Sequence, residues 1–192
     1  MKDRNAGGVF YKVEVYDKDG KLIEEKSGKG ESILGNWVEL LPSIIDGSTW
    51  TPNDINGNSC IISNIALNNC HGRAPAGDDS YGIVVGTGTT PVDINDHNLA
   101  SKIPHGTGSG QLSYGETSGY VDGSGLRQDR GLQRSFDNNS GADITINEIG
   151  MVLKINDGSN DYYIMIARDV ISATTVPNGG RVTVKYWFRY NP

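Results

Sequence analysis

Apolar positions along this chain recur with the period of strands almost everywhere, and with the period of a helix once. In Arg181–Tyr190 (RVTVKYWFRY), Val182, Val184, Tyr186 and Phe188 alternate with Arg181, Thr183, Lys185 and Arg189. A repeat of two marks a sheet with one buried face. Ile144–Ile155 and Tyr162–Ile171 precede it as two further strands. Asn156-Asp157-Gly158-Ser159 and Pro177-Asn178-Gly179-Gly180 separate the three, and these are residue types that tight turns select. Near the start, Val9–Tyr16 alternates and Lys21–Lys26 follows across Asp17-Lys18-Asp19-Gly20, so the Asp-Gly step predicts a hairpin.

The period then changes. Ile33, Leu34, Trp37, Val38, Leu41, Ile44 and Ile45 recur at steps of three and four, which predicts an amphipathic helix. Gly30 and Ser32 are its candidate caps, and Pro42 is expected to end or kink it near Leu41. Its place is against an open sheet face or across a barrel mouth. Beyond it, Ser59–Leu67 and Gly82–Gly86 read as buried strands. Gln111–Val121 can include another strand, and Leu126–Phe136 reads as an exposed or subunit-facing one. Thr87–Ile103 is polar, with a short helical turn around Asn95–Ala100, and residues 87–125 as a whole read as a long polar middle loop inserted in the domain.

The predicted class is therefore mainly β: a single domain over 1–192, a β-sandwich of jelly-roll or Ig-like type. It has roughly nine strands and one N-terminal amphipathic helix. The 26 glycines among 192 residues, spread along the chain, agree with many turns between short strands.

A net charge of −6 disfavours nucleic acid as a partner, because phosphate binding needs clustered cations. The nearest approach to a basic patch is Arg127, Arg130 and Arg134, interleaved with Asp129 and Asp137, and it reads as a solvated or partner-facing strand. No run is apolar for the ~18 residues of a membrane span. Met1-Lys2-Asp3-Arg4-Asn5 is followed by no apolar core of a signal peptide, so the expectation is a soluble product made in the cytoplasm.

Reaction chemistry is thin. Cys60 and Cys70, with His71 adjacent, lack paired C-x-x-C spacing and a fourth ligand. They read as small apolar side chains before a disulfide or a metal site. Ser109 in Gly108-Ser109-Gly110 lies near His105 in sequence, yet nothing orients the two as nucleophile and base. Thr87-Gly88-Thr89-Thr90 lacks the Gly-Lys-Ser/Thr of a phosphate cradle. Asp54, Asn56 and Asn58, and likewise Asp93, Asn95 and Asp96, carry calcium-type oxygens without EF-hand spacing, so they read first as turn residues. Trp37 shares the phase of Leu34, Val38 and Leu41 and reads as core. Trp187 is out of phase with Tyr186 and Phe188, which points it outward towards a partner.

Three segments resemble the small β-sandwich virion structural proteins of tailed bacteriophages. One is the Val-Tyr-Asp-x-Asp-Gly-Lys hairpin followed by an amphipathic helix, Val15–Leu41. The second is Gly82–Ile103 (GIVVGTGTTPVDINDHNLASKI). The third runs from Phe136 (FDNNSGADITINEIGMVL) through Ile166-Ala167-Arg168-Asp169-Val170 to Pro177-Asn178-Gly179-Gly180 and the closing Thr-Val-x-Tyr strand. The resemblance implies a non-enzymatic capsid-decorating, minor capsid or tail-associated component, located in the virion and packing on major capsid or tail proteins. A homo-oligomer without cofactors is implied too. It lends only scaffold positions: Glu148-Ile149-Gly150 as a turn or bulge, and Ala167-Arg168-Asp169 as an edge position with a paired charge. The candidate partner contacts are Arg127, Arg130, Arg134 and Trp187. The rival readings are a glycan-binding β-sandwich module, calcium-assisted or not, and an enzyme with spatially assembled carboxylates such as a depolymerase.

Overall fold

The computed structural model describes residues 8–30, 33–62 and 70–190. Within them the fold is mainly β, with strands in two antiparallel sheets and one helix, α1 (Gly35–Asp46). The predicted N-terminal hairpin forms as β1 (Gly8–Tyr16) and β2 (Leu22–Gly30), closed where Asp17 Oδ1 accepts the amides of Asp19 and Lys21. β3 (Cys70–His71) and β4 (Gly82–Gly86) are short. β5 (Ser113–Ser124) and β6 (Arg127–Asp137) make a hairpin over the two-residue Gly125-Leu126 turn, where Gly125 takes a left-handed φ of 62°. β7 (Ile144–Asn156), β8 (Asp161–Val176) and β9 (Arg181–Tyr190) follow the three strands read from the sequence.

The larger sheet has the order β2-β1-β9-β6-β5, so the first and last strands lie side by side. In the smaller sheet β7 pairs with β8 along one edge and with β4 and then β3 along the other. A single apolar core joins the sheets. Val9, Val13 and Val15 of β1, Phe136 of β6 and Val182 and Val184 of β9 are buried in it together with Ile149 of β7. The alternation seen in β9 is this buried face. β7 and β8 are buried through most of their length because loops and α1 cover the smaller sheet's other face, which is why their sequences read as apolar runs.

The helix departs from expectation at both ends. Gly30 closes β2 instead of capping α1, and Ser32 lies outside the described residues. The N-cap is Leu34, whose side chain makes no capping bond, and the Gly35 amide donates to the Ile94 carbonyl (2.8 Å). Pro42 does not stop the helix, which runs on to Asp46 and ends on Gly47 (φ 73°). Pro42 is exposed, so the Val38 carbonyl that it leaves without a helical donor lies on the solvent side, where water replaces the bond. Ser59–Leu67 is not one strand over its described part. Residues 50–62 fold into an irregular hairpin, with Trp50 and Ile62 exchanging both backbone bonds (2.9 and 2.8 Å), and 63–69 fall outside the described residues.

The polar middle is not one loop either, since residues 113–124 of the 87–125 stretch are β5. The remainder is tied down. Residues 101–103 run back beside β4, with Thr87 N–H donating to Ser101 O and Ile103 N–H to Val85 O (2.8 and 2.9 Å). Glu148, fully buried in β7, reaches into the arch of this loop. Its Oε1 accepts the amides of Gly88 (3.0 Å) and Ser101 (2.7 Å), and its Oε2 accepts the Ala100 amide (3.0 Å) and Arg168 Nε (3.0 Å). Arg168, on the neighbouring strand β8 and equally buried, donates onward to Asp96 Oδ2 (2.6 Å) and the Thr90 carbonyl (2.9 Å). Gly86 and Gly88 leave room for this carboxylate; a Cβ on either would collide with Glu148. Glu148→Gln retains the shape but strips Arg168 of its counter-charge and turns an amide N–H₂ towards backbone donors. The expected cost is about 3–5 kcal/mol in urea unfolding, with Gly88→Ala destabilising in the same direction through the Cβ clash.

Candidate interaction surface

The side chains singled out in the sequence fall in three different environments. Arg134 is not a surface residue. It points from β6 between the sheets, 1% exposed, and donates to five backbone carbonyls: Gly115, Tyr81, Ile83, Pro75 and Asp78, at 2.5–3.2 Å. Its guanidinium also lies 4.7 Å from the Tyr114 ring centroid. The planar fork of five N–H groups suits this cage of acceptors, and a buried arginine with its donors occupied has nothing to offer a partner. The phase of the strand carried the warning, because Arg134 stands at even spacing between Leu132 and Phe136.

Arg127 and Arg130 sit at the tip of the β5–β6 hairpin. Arg127 pairs with Asp122 across the hairpin (3.0 Å), whereas Arg130 is exposed and donates to the Asp129 carbonyl (2.9 Å). Asp129, fully buried on the opposite face, is gripped by Arg189 through two bonds of 2.8 and 2.7 Å. Trp187 does point outward as its phase predicts, yet it is only 7% exposed. It lies on the outer face of the larger sheet over Gly131, between Phe10 (centroids 6.1 Å apart) and Tyr120 (5.2 Å). Around it the outer face is laced with charge pairs: Lys12 and Lys185 on Glu14, Arg189 on Asp129, Arg181 on Asp137.

The groups considered for chemistry are engaged locally. Asp54 Oδ1 accepts the amides of Asn56 and Asn58 (2.9 and 2.8 Å), and Asp93 Oδ1 accepts the Asn95 amide (2.9 Å). Asp96 faces Arg168. These are turn-closing carboxylates of the Asx type. Cys60 and Cys70 are free thiols, and burial pushes Cys70 up to about 11, far from the thiolate range in which a cysteine reacts or binds metal at neutral pH. His105 Nδ1 accepts the Tyr114 amide (3.1 Å), which fixes the ring as a brace for β5. Among the described residues no three His, Cys, Asp or Glu side chains converge as a metal site, and no helix is long and apolar enough to cross a membrane.

The buried polar groups that matter most to this architecture were missed as such. Glu148-Ile149-Gly150 is neither turn nor bulge but pairs in regular register with β8 inside an unbroken β7, between register shifts at Ile146/Glu148 and Met151/Val152. Arg168 is charge-paired, and the Glu148 and Arg168 side chains are interior. Tyr186 and Asp169 form a further buried bond between the two sheets, and burial first, then Asp169, raises the Tyr186 hydroxyl well above its ordinary range. What the surface offers instead is apolar. Val121 and Leu126 at the hairpin tip and Val38, Leu41 and Ile45 along α1 are all exposed.

No protein-family model, curated protein or solved structure matches the chain.

Arg189 holds the Asp129 carboxyl below the usual carboxylate range, against the opposing effect of burial. A lowered folded-state pKa means that the unfolded chain binds the proton more readily. The pair's stabilisation is therefore complete above the unfolded carboxylate value of about 4 and is lost as pH falls through the folded one. Asp129→Asn is expected to cost about 2 kcal/mol at pH 7. The difference from the parent chain should shrink steadily as denaturation is repeated towards pH 3.

Proposed function

We propose that this chain is a non-enzymatic structural component of a tailed-bacteriophage virion, packing its two sheets as a β-sandwich and working by shape and buried area. The supporting observation is the use of buried charge. Glu148, Arg168, Arg134 and Asp129 are each occupied by groups of the chain itself, and what they hold is loop and hairpin geometry. A scaffold of this kind presents a pre-organised surface, and particle proteins gain stability by repeating such a surface under symmetry. Its partners in this reading are major capsid or tail proteins and copies of itself. The test is mass spectrometry of purified virions of the phage that encodes it: the chain is expected at a stoichiometry of many copies per particle. Absence from washed, intact particles would refute the reading.

The glycan-binding alternative draws on a shallow polar cleft of the outer face, where Tyr16 and Gly20 flank the Ser135–Thr183 hydroxyl pair and the Arg181–Asp137 ion pair. Calcium assistance has weaker grounds, because the acidic oxygens of the two Asx loops already accept backbone amides. Millimolar calcium is accordingly expected to leave the melting temperature unchanged. A bound ion at a hundred times its dissociation constant would add about 2.7 kcal/mol, a shift that a thermal scan resolves easily.

A further inference from the structure

We infer that two copies of this chain form a twofold dimer in which the β5–β6 hairpin tip of each docks on the α1 helix of the other. This rests on the structural-component reading and names one partner within it.

The first observation is an overhang. Val121 and Arg130 belong to the face of the larger sheet that, further along, carries the half-buried Leu132 and the buried Phe136 of β6. Both are nonetheless exposed, Val121 at 67%, because the smaller sheet does not extend beneath the hairpin tip. Leu126, in the turn itself, is 76% exposed.

The second observation is the helix. Trp37, Leu40 and Ile44 cover the core side of α1, but Val38, Leu41 and Ile45 form an adjoining apolar strip that nothing among the described residues covers, with Ile45 82% exposed. An exposed helix gains nothing from three apolar residues on its solvent side, and a strip beside polar neighbours marks a contact.

The third observation is charge. The two charged residues of α1 are Glu39 and Asp46, both exposed and neither in an ion pair among the described residues. Its last turn carries no basic residue to complement the helix C-terminus. The hairpin tip supplies the missing sign through Arg130, which is exposed and has no carboxylate partner among the described residues, whereas Arg127 is already paired with Asp122. An apolar tip that carries one unpaired cation, Arg130, fits an apolar strip flanked by Glu39 and Asp46.

The two patches are also neighbours. Trp37 of α1 stacks on Phe188 of β9 (centroids 4.9 Å apart), Phe188 pairs with Arg130, and Arg130 pairs with Val121. Complementary patches side by side on one surface make that surface self-complementary, so a twofold axis between them forms the contact twice.

Light scattering across concentrations tests this with the whole chain. The expected result is a discrete species of twice the 20.7 kDa chain mass. Leu126→Ser and Ile45→Ser, at exposed positions where the fold is indifferent, should each weaken it by about tenfold or more. Arg130→Glu and Glu39→Arg should each weaken it alone, and an equimolar mixture of the two should recover a heterodimer. A chain that stays monomeric to millimolar concentration overturns the contact, as does an oligomer whose mass none of these variants changes. If the chain is found in virions yet is monomeric in solution, this contact fails while the virion reading stands; if it dimerises as described but is absent from virions, the reverse holds.

Discussion

One buried carboxylate organises the polar half of this protein. Glu148 stands in the middle of β7, and its two oxygens accept three backbone amides from the 87–103 loop and a guanidinium from β8. A charge so far from water is tolerable only when its lone pairs are occupied and an opposite charge is at hand. The loop amides meet the first requirement and Arg168 the second. Because Arg168 then reaches Asp96 and Thr90, the same ion pair holds both limbs of the loop against the sheet. A stretch rich in Gly, Thr, Asn and Asp, which has little apolar surface to bury, is thereby ordered by electrostatics and hydrogen bonding instead of by packing.

The same device recurs where the sheets meet. Arg134 collects carbonyls from the 75–83 segment and from β5, and Tyr186 bonds Asp169 from the opposite sheet. Each group joins segments far apart in sequence, so each fixes the relative position of elements that backbone pairing alone would leave independent. The surface inherits that rigidity. The hairpin tip and the exposed strip of α1 are presented by a frame that has little freedom to rearrange, which lowers the conformational cost of any association they enter.

Much of this frame could be read from residue order. The period-two alternation of β9 and β1, the Asp-Gly turn, the apolar runs and the Gly/Asn-rich breaks located eight of the strands or their cores, since these signals are local. What resisted reading was non-local. Arg134 looked like part of a surface patch because composition attracts attention to clustered arginines, whereas its phase with Leu132 and Phe136 decided its side of the sheet. Arg130 shares that phase and is exposed, because the sheet beneath ends before it, and no local pattern reports where a facing layer stops. Pro42 was expected to end α1; its exposure, a property of how the helix sits on the sheet, removes the need. Glu148 gave no signal at all, because a lone acid in an apolar strand acquires its meaning only when a loop sixty residues earlier in the chain folds over it.

The central claim is that the 87–103 loop is as much a part of the scaffold as the strands, and native-state hydrogen exchange addresses it directly. The amides of Gly88, Ala100 and Ser101, bonded to Glu148, are predicted to exchange only on the slow, global opening that governs β7. Exchange of these three on the fast timescale of an open loop, with β7 still protected, would contradict the account.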